Sequence, residues 1–291
     1  MSSLLRFAAA AAIALAASAG TASAGVIVFS ATTPASQIDQ LFRISSSGSG
    51  LKQLTTGVHP ADAPALSPDG KRIAFERSGI GIFTMNVDGG GLRRLTTSSR
   101  DSYPVWSPDG KNIAFVRPIG TVWRVYVVPS SGGRLRGLSK APPAGRPAWT
   151  RAGLLIPSGG DLVKIDSASG RVLKYYDANV DAIWGQDTVA LSPGISMLTY
   201  VGARAPEPGD KECGEGPCQR FGLFLESLRT KAKKPHLIVK DTGPAVFSPD
   251  GRQIVFAAGG KLQIRSVTSG ATKAVSTGTA YPTDAAPPAW G

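Results

Sequence analysis

Length and net charge set the first limits on what this protein can be. The chain has 291 residues, and its 32 lysines and arginines against 20 acidic residues give a formal charge of +12. A charge of this size favours anionic partners. It is spread along the chain, however, and its densest cluster is only Lys231, Lys233 and Lys234. This distribution indicates a solvated surface and argues against a nucleic-acid partner.

The first predicted element is an export signal at residues 1–24. One early positive charge, Arg6, is followed by an apolar stretch and the small-residue ending Ala22-Ser23-Ala24, which is the layout of a cleaved secretory signal. The apolar stretch is shorter than the roughly 20 residues of a spanning helix, and no cysteine follows it for lipid attachment. We therefore expect a mature protein of residues 25–291, exported to the periplasm or beyond and not membrane-spanning.

A recurring phrase indicates a repeat architecture in the rest of the chain. It reads APALSPDGKRIAF at 63–75, YPVWSPDGKNIAF at 103–115 and PAVFSPDGRQIVF at 244–256. Taking the serine of SPDG as a mark, six marks follow one another, and four of the five intervals are 40–43 residues long. A large apolar residue precedes every mark; the marks lie at 67, 107, 150, 192, 248 and 291.

Each repeat unit predicts four short strands. Proline, aspartate and glycine of SPDG favour a tight turn between the first and second strands, and a glycine-rich turn such as 88–91 follows the third. The second strands, for example Ile73-Ala74-Phe75, are apolar on both faces, so neighbouring sheets must cover both. Repeats of roughly 40–45 residues with four strands are typical of β-propeller blades.

The two ends of the mature chain predict how the ring closes. The chain begins after the signal with a second-type strand at 26–30 and ends on a first-type strand at 287–290. Pairing these two segments completes one blade from both ends and leaves no exposed sheet edge. The predicted fold class is therefore all-β: a six-bladed β-propeller of four-stranded blades, occupying 25–291, closed by the C-terminal strand.

The unit at 67–97, SPDGKRIAF…GIFTMNVDGGGLRRLTT, resembles the repeat of the TolB-like, WD-like propeller family. The likeness covers 25–291 and is weakest at 150–180, where TRAG replaces the turn. The resemblance implies an exported propeller. The family's namesake has an additional N-terminal domain that docks envelope partners. The first predicted blade directly follows the signal here, so we do not carry the namesake's full role over.

The propeller prediction separates a regular face from an irregular one. The SPDG turns and the third-to-fourth turns share one face, and their regularity indicates a scaffold role. We expect binding on the opposite face, which holds the links between blades. Exposed aromatic and basic residues supply much of the energy at interfaces, and that face has Arg100, Tyr103, Arg146, Trp184 and Tyr281.

The longest irregular segment, the loop at 203–218, contains both cysteines, Cys213 and Cys218. Two nearby cysteines in an exported protein favour a disulfide, which would order the loop before binding; alternatively, it only tethers an insertion without function. Zinc would need further ligands, and the two histidines, His59 and His236, are distant in sequence.

Five links have an aspartate shortly before the inner strand: Asp62, Asp101, Asp187, Asp241 and Asp284. One interpretation is a carboxylate cluster at the channel mouth that binds a cation such as calcium. The favoured alternative is that each aspartate accepts hydrogen bonds from the backbone of its own link, because the repeat spaces these residues around a ring. No other cofactor is expected, and no metal ligands are assigned.

Together these patterns predict a non-enzymatic scaffold, monomeric, which binds an envelope protein or peptide at the irregular face and the loop at 203–220. No G-x-S-x-G nucleophile turn occurs, and neither histidine has a nearby nucleophile in the sequence. The alternative is a polysaccharide lyase or hydrolase that uses carboxylates in the channel. A third hypothesis is a purely structural module of a larger envelope complex.

Overall fold

A computed structural model shows six antiparallel sheets arranged as the six blades of a β-propeller. It describes residues 25–142, 145–158, 161–176, 190–194, 196–203, 221–227, 236–240, 242–283 and 287–291. Within these residues, no helix has the length and apolarity needed to cross a membrane. The predicted fold class is confirmed.

The first three blades are built as follows. Blade 1 contains β1 (Val26–Thr33), β2 (Ser36–Ser45) and β3 (Lys52–Gln53), together with β24 (Tyr281–Pro282) and β25 (Ala289–Trp290) from the end of the chain. Blade 2 contains β4 (Ala61–Leu66), β5 (Arg72–Arg77), β6 (Gly81–Asn86) and β7 (Arg93–Arg94). Blade 3 contains β8 (Ser102–Trp106), β9 (Asn112–Ile119), β10 (Val122–Pro129) and β11 (Arg136–Gly137).

The remaining blades have the same order of strands. Blade 4 contains β12 (Ala148–Thr150), β13 (Gly153–Ser158), β14 (Asp161–Ile165) and β15 (Val172–Tyr176). Blade 5 contains β16 (Ala190–Leu191), β17 (Met197–Ala203), β18 (Phe221–Ser227) and β19 (His236–Lys240). Blade 6 contains β20 (Ala245–Phe247), β21 (Gln253–Ala258), β22 (Lys261–Ser266) and β23 (Thr272–Val275).

The hydrophobic core lies between adjacent blades, as predicted from second strands that are apolar on both faces. Ile73, Ala74 and Phe75 of β5 are fully buried. Ile73 and Phe75 pack toward blade 1, whereas Ala74 packs with Trp106 and Phe115 of blade 3. Each blade is therefore stabilised by burial of apolar surface against both neighbours.

The SPDG turn is held by hydrogen bonds within the turn itself. In blade 2 the Ser67 hydroxyl donates to Asp69 at 2.5 Å and accepts from the Arg72 N–H at 2.9 Å, while Gly70 supplies the left-handed backbone (φ +68°). The hydroxyl bond also lowers the pKa of the Asp69 carboxyl below its ordinary value. The polar groups of the turn are thus occupied by hydrogen bonds within the turn, as its predicted scaffold role requires.

The two turn types of each blade lie side by side, which defines the two faces. The third-to-fourth turn donates a backbone hydrogen bond to the SPDG turn, from Val87 to Lys71 in blade 2 (2.9 Å) and from Ser130 to Lys111 in blade 3 (2.8 Å). We call this side the turn face. The opposite side, formed by the links between blades and the second-to-third turns, is the link face.

The ring is closed by pairing between the two ends of the described chain, as predicted. Trp290 pairs with Ile27 and Ala289 with Val28, and Val26 and Gly291 exchange backbone hydrogen bonds of 2.7 and 3.0 Å. A second short strand, β24, also pairs with β1, at Ala31 and Thr32. The inner strand of blade 1 is thus made in two pieces, which the sequence pattern did not predict.

Basic residues of the outer strands link neighbouring blades. One register position on the outer strand is basic in all six blades: Lys52, Arg93, Arg136, Lys174, His236 and Lys273. Three of these side chains donate to the third-to-fourth turn of the next blade, with Lys52 reaching the Asp88 carbonyl (2.7 Å), Arg136 that of Ser167 (3.0 Å) and Lys273 that of Ser46 (3.4 Å). Part of the positive charge is therefore used between blades.

We expect Gly170→Ala to reduce the free energy of unfolding by about 3 kcal/mol, from left-handed strain plus overpacking. A Cβ at Gly170 (φ +78°) would lie 2.8 Å from the Ala141 nitrogen and 2.9 Å from the Leu138 Cβ of blade 3. Gly120 (φ +61°) has nothing within 4 Å, so Gly120→Ala controls for the strain alone, at about 1 kcal/mol. Urea unfolding measures both, and equal losses would contradict the proposed blade contact.

Candidate functional site

The link face holds those predicted binding residues that the structure describes. Trp184, Asp187, Asp241, Asp284, Cys213 and Cys218 lie outside the described residues, so the predictions on them, including the disulfide, stay predictions. Of the others, Asp62, Tyr103 and Arg146 lie close to one another and to Glu76. We call these four residues the link-face cluster.

Prolines in the inner strands position this cluster. Pro64 and Pro104 each lack the N–H that a regular ladder needs, and the strand register shifts there, between Asp62 and Ala65 in β4 and between Ser102 and Val105 in β8. The residues before the prolines, Ala63 (φ +48°) and Tyr103 (φ +56°), are the two non-glycine residues with positive φ in the described chain. Such strain is often found at functional sites. We call these two irregular positions the bends at Ala63 and Tyr103.

Asp62 is a partly buried carboxylate that accepts hydrogen bonds from two neighbouring donors. It accepts a short hydrogen bond from the Ser30 hydroxyl of blade 1 and another from the Ala63 N–H at 2.9 Å. Burial raises the pKa of this carboxyl, although both hydrogen bonds and the Arg146 charge act in the opposite direction. The Ala63 bond lies within its own link, as the structural interpretation of these aspartates expects; the Ser30 bond joins blades 1 and 2.

Glu76 faces Asp62 directly across the β4–β5 ladder. Its carboxylate accepts from the Tyr103 N–H at 3.1 Å, so it connects blade 2 to the bend of blade 3. The pKa of Glu76 is raised from 4.5 to about 7, chiefly by burial and also by the nearby Asp62 charge, while the hydrogen bonds from Tyr103 and Ser102 and the charge of Arg146 act in the opposite direction. Two adjacent, partly buried acids thus share one arginine.

Arg146 and Tyr103 meet because they occupy the same repeat position in adjacent blades. Each directly precedes the inner-strand proline, four residues before the mark. The buried Arg146 guanidinium lies 5.9 Å from the centre of the Tyr103 ring, and the centres of the Tyr103 and Trp123 rings are 6.2 Å apart. The cation is thus held between an aromatic face and the two acids.

Asp101, in contrast, belongs to its own blade. Its buried carboxylate accepts two hydrogen bonds from Arg117, at 2.5 and 2.9 Å, in a bidentate ion pair. The Arg117 guanidinium also lies 4.7 Å from the centre of the Tyr126 ring. Asp101 is therefore engaged in holding β9, and the structure does not bring it together with Asp62.

The rim of the link face exposes apolar side chains and the basic side chain of Arg100. Val58 in the first link is 77% exposed, Ile119 in the β9–β10 turn 47%, and Tyr281 in β24 52%. Arg100 is also exposed and lies in the link between blades 2 and 3. Of the predicted binding residues, then, Arg100 and Tyr281 are accessible, whereas Arg146 is buried beneath the rim.

The turn face contains a cavity of about 710 Å³ at the centre of the ring. The large apolar residues before the six marks line it: Leu66, Trp106, Trp149, Leu191, Phe247 and Trp290. Trp106 also donates from its indole N–H to the Ala65 carbonyl of blade 2 at 3.0 Å. Sequence reasoning found the six positions but did not predict that they surround one cavity.

Sequence reasoning also missed Glu76 and Ser30, although the repeat contains a signal for them. Both follow the last bulky residue of the second strand, a position that is apolar in the other blades: Val116, Pro157, Val201 and Ala257. A carboxylate at an otherwise apolar interior position needs a partner. Alignment of the repeats at this position would have identified both residues.

A metal site is not formed within the part of the chain that the structure describes, where no three histidine, cysteine or acidic residues are grouped for one. Three of the five aspartates proposed for calcium lie outside that part. The calcium prediction therefore stays a prediction.

Comparison with known proteins supports the fold. No protein-family model and no curated protein matches the chain. TolB of Acinetobacter baumannii matches with a TM-score of 0.67 and 18% identity over 91% of this chain and 66% of that one, slightly less than two thirds of its length. An Agrobacterium tumefaciens protein assigned as TolB matches with a TM-score of 0.57 and 15% identity, over 89% and 90% of the two chains.

The same fold also occurs in an enzyme. Hydrazine synthase of Kuenenia stuttgartiensis matches with a TM-score of 0.52 and 16% identity over 78% of this chain and 70% of that one. Identities this low establish the architecture and leave the activity to be argued from the site. The chain is a six-bladed β-propeller with the TolB-like architecture that its repeat indicated.

Proposed function

We propose that this protein is an exported scaffold that binds a protein or peptide partner on its link face. The exposed apolar rim residues Val58, Ile119 and Tyr281, together with Arg100, carry the proposal. Aromatic and arginine side chains dominate the energy of protein interfaces, and their contacts with a partner would remove this apolar surface from water. The signal layout of residues 1–24 supports export.

The link-face cluster supports this proposal by shaping the surface beneath the rim. Glu76 and Arg146 hold the bend at Tyr103, and Asp62 holds the bend at Ala63. These bends lie in the inner strands of blades 2 and 3, directly after the links that enter those blades. A surface held in advance loses less conformational entropy when it binds.

A crosslinking capture in the envelope of the native host tests the proposal. The mature chain is compared with a rim variant, Val58→Ser, Arg100→Ser, Ile119→Ser and Tyr281→Ser. The matched control is Leu92→Ser, Leu173→Ser and Tyr175→Ser, which removes side chains that are 48–60% exposed but lie at the outer edges of blades 2 and 4. Mass spectrometry identifies the crosslinked proteins.

We expect a partner that the native chain and the control capture and that the rim variant loses. Equal capture by all three chains would contradict a link-face site. Loss only in the control would place the interface on the outer strands instead.

Export has its own test. Intact-mass measurement of the protein recovered from the host should give a chain that begins at Gly25. A full-length mass, still including residues 1–24, would contradict processing of the signal.

The partly buried pair of Asp62 and Glu76 favours a second candidate function, carboxylate chemistry on a polysaccharide. One acid with a pKa near 7 beside a second carboxyl is the kind of pairing that general acid–base catalysis uses. Incubation with acidic polysaccharides would then release new sugar ends, and Glu76→Gln would abolish that release. No turnover by the native protein, or equal turnover by the variant, would exclude this use of Glu76.

A further inference from the structure

The junction between blades 5 and 6 combines two residue types that no other blade has at the same register positions. On the outer strand of blade 5, His236 occupies the register position that is lysine or arginine in every other blade. On the third strand of blade 6, Arg265 pairs with Ile254. The equivalent position is apolar in blades 1 to 4, with Ile44, Met85, Val128 and Ile165, and it is Glu226 in blade 5.

His236 and Arg265 border a groove of about 310 Å³. Its floor is apolar, with Leu225 and Ile238 from blade 5 and Ile254 and Val267 from blade 6. Its rim is polar, with His236 and Arg265 and the turn at 266–270. The imidazole is shorter than the lysine or arginine side chain found at the other junctions, which leaves space over this floor.

The charge of the groove selects the kind of ligand. None of the described lining residues is acidic, and Arg265 brings a fixed positive charge. Its guanidinium donates a hydrogen bond from Nη1 to Thr272 Oγ1 at 3.1 Å, and a guanidinium has five N–H donors. The other N–H donors of the Arg265 guanidinium match a carboxylate, which arginine binds in bidentate fashion. The positive charge of Arg265 would repel a cation.

We propose that this groove binds a carboxylate attached to a small branched apolar group. The carboxylate lies against Arg265 and the hydroxyls of Thr268 and Ser269, and the apolar group covers the floor. The volume is at the lower end of that of small-molecule sites, which suits a group the size of a leucine side chain. A bare phosphate or sulfate would leave the floor uncovered. This site is independent of the link-face proposal.

Ligand titration followed by amide NMR shifts of residues 266–270 tests the site. The probes are N-acetyl-glycyl-leucine for a peptide C-terminus, 4-methylpentanoate for a free acid, and N-acetyl-glycyl-leucinamide, which lacks the carboxylate. We expect saturable binding of at least one acid, and at least about tenfold weaker binding of the amide, because a hydrogen-bonded charge is lost. Binding of the peptide acid alone would assign a protein C-terminus, and binding of 4-methylpentanoate a free acid.

Two variants and a control complete the test. Arg265→Met restores the residue type of blade 2 and should weaken acid binding at least about tenfold. Ser269→Glu, at an exposed turn position, should also weaken acid binding, because the introduced carboxylate would pair with Arg265. Arg252→Met removes an equal charge from the exposed SPDG turn and should leave affinity unchanged. Equal binding of the amide, unchanged affinity in Arg265→Met, or no saturation by either acid at about 10 mM would overturn the proposal.

Discussion

Glu76→Gln is expected to stabilise the protein at pH 8 by up to about 3 kcal/mol and to have almost no effect near pH 4. The pKa of Glu76 is raised from 4.5 to about 7, chiefly by burial, and each unit of pKa difference between the folded and unfolded states corresponds to about 1.4 kcal/mol. Glutamine keeps an oxygen that accepts from the Tyr103 N–H but cannot ionise. The substitution therefore removes the cost of a buried charge.

The direction of the pH dependence follows from proton binding. Between about pH 4.5 and pH 7 the unfolded chain has lost the Glu76 proton while the folded chain keeps it. Stability of the native protein therefore falls as the pH rises through this range and levels off above it. Urea unfolding from pH 4 to pH 8 should show this fall in the native protein and a flatter profile in Glu76→Gln.

Asp69→Asn supplies a control, because the contribution of Asp69 to stability changes with pH in the opposite direction. The Ser67 hydroxyl lowers the pKa of Asp69 below 3.8, so its contribution is present at neutral pH and is lost as the pH falls through the folded pKa. The asparagine variant should be less stable at pH 7 and converge with the native protein in acid. A native profile that rises from pH 4.5 to pH 7, with no gain in Glu76→Gln at pH 8, would contradict the buried state of Glu76.

Removal of residues 287–291 is expected to destroy cooperative folding at 25 °C. The deletion removes β25, breaks the Val26–Gly291 hydrogen bonds and takes away Trp290, which lines the turn-face cavity. Loss of a packed tryptophan alone costs about 3–5 kcal/mol, a large share of the 5–15 kcal/mol that typically stabilises a domain. The edge of β1 would also be left open to pairing between molecules.

Trp290→Phe is the matched control, because it keeps the strand and most of the apolar volume. Urea unfolding and size-exclusion chromatography compare the two variants with the native chain. The deletion should give a broad, early transition and larger species, whereas Trp290→Phe should stay monodisperse with a small loss. A deletion variant with the native urea midpoint would show that closure through β25 contributes little.

The blade architecture follows from the repeat because its signals are local. SPDG determines a turn through its own side chains, as Ser67 and Asp69 show, and the bulky residues of Ile73-Ala74-Phe75 determine a strand buried on both sides. The ends of the chain carried enough strand pattern to predict closure. The Arg146–Tyr103 contact could also have been predicted from the sequence, since the two residues occupy the same repeat position in adjacent blades.

The link-face cluster was harder to predict because it depends on the pairing register of the strands, which the repeat pattern does not specify. Asp62 was singled out for its place in a link, yet its neighbours are Glu76, one strand away, and Ser30, one blade away. Which residues face each other there depends on the bend before Pro64, where the register shifts. Asp101 has the same sequence signal but pairs with Arg117 within its blade, so equal motifs led to different contacts.

The most direct test of the link-face assignment is site-specific photocrosslinking from both faces. A photoreactive phenylalanine derivative replaces Arg100 on the link face in one chain, and Arg151, which lines the turn-face cavity, in another. Both positions are exposed. The account predicts a partner crosslinked from position 100 and not from position 151. A partner crosslinked only from position 151 would contradict it and place binding in the turn-face cavity.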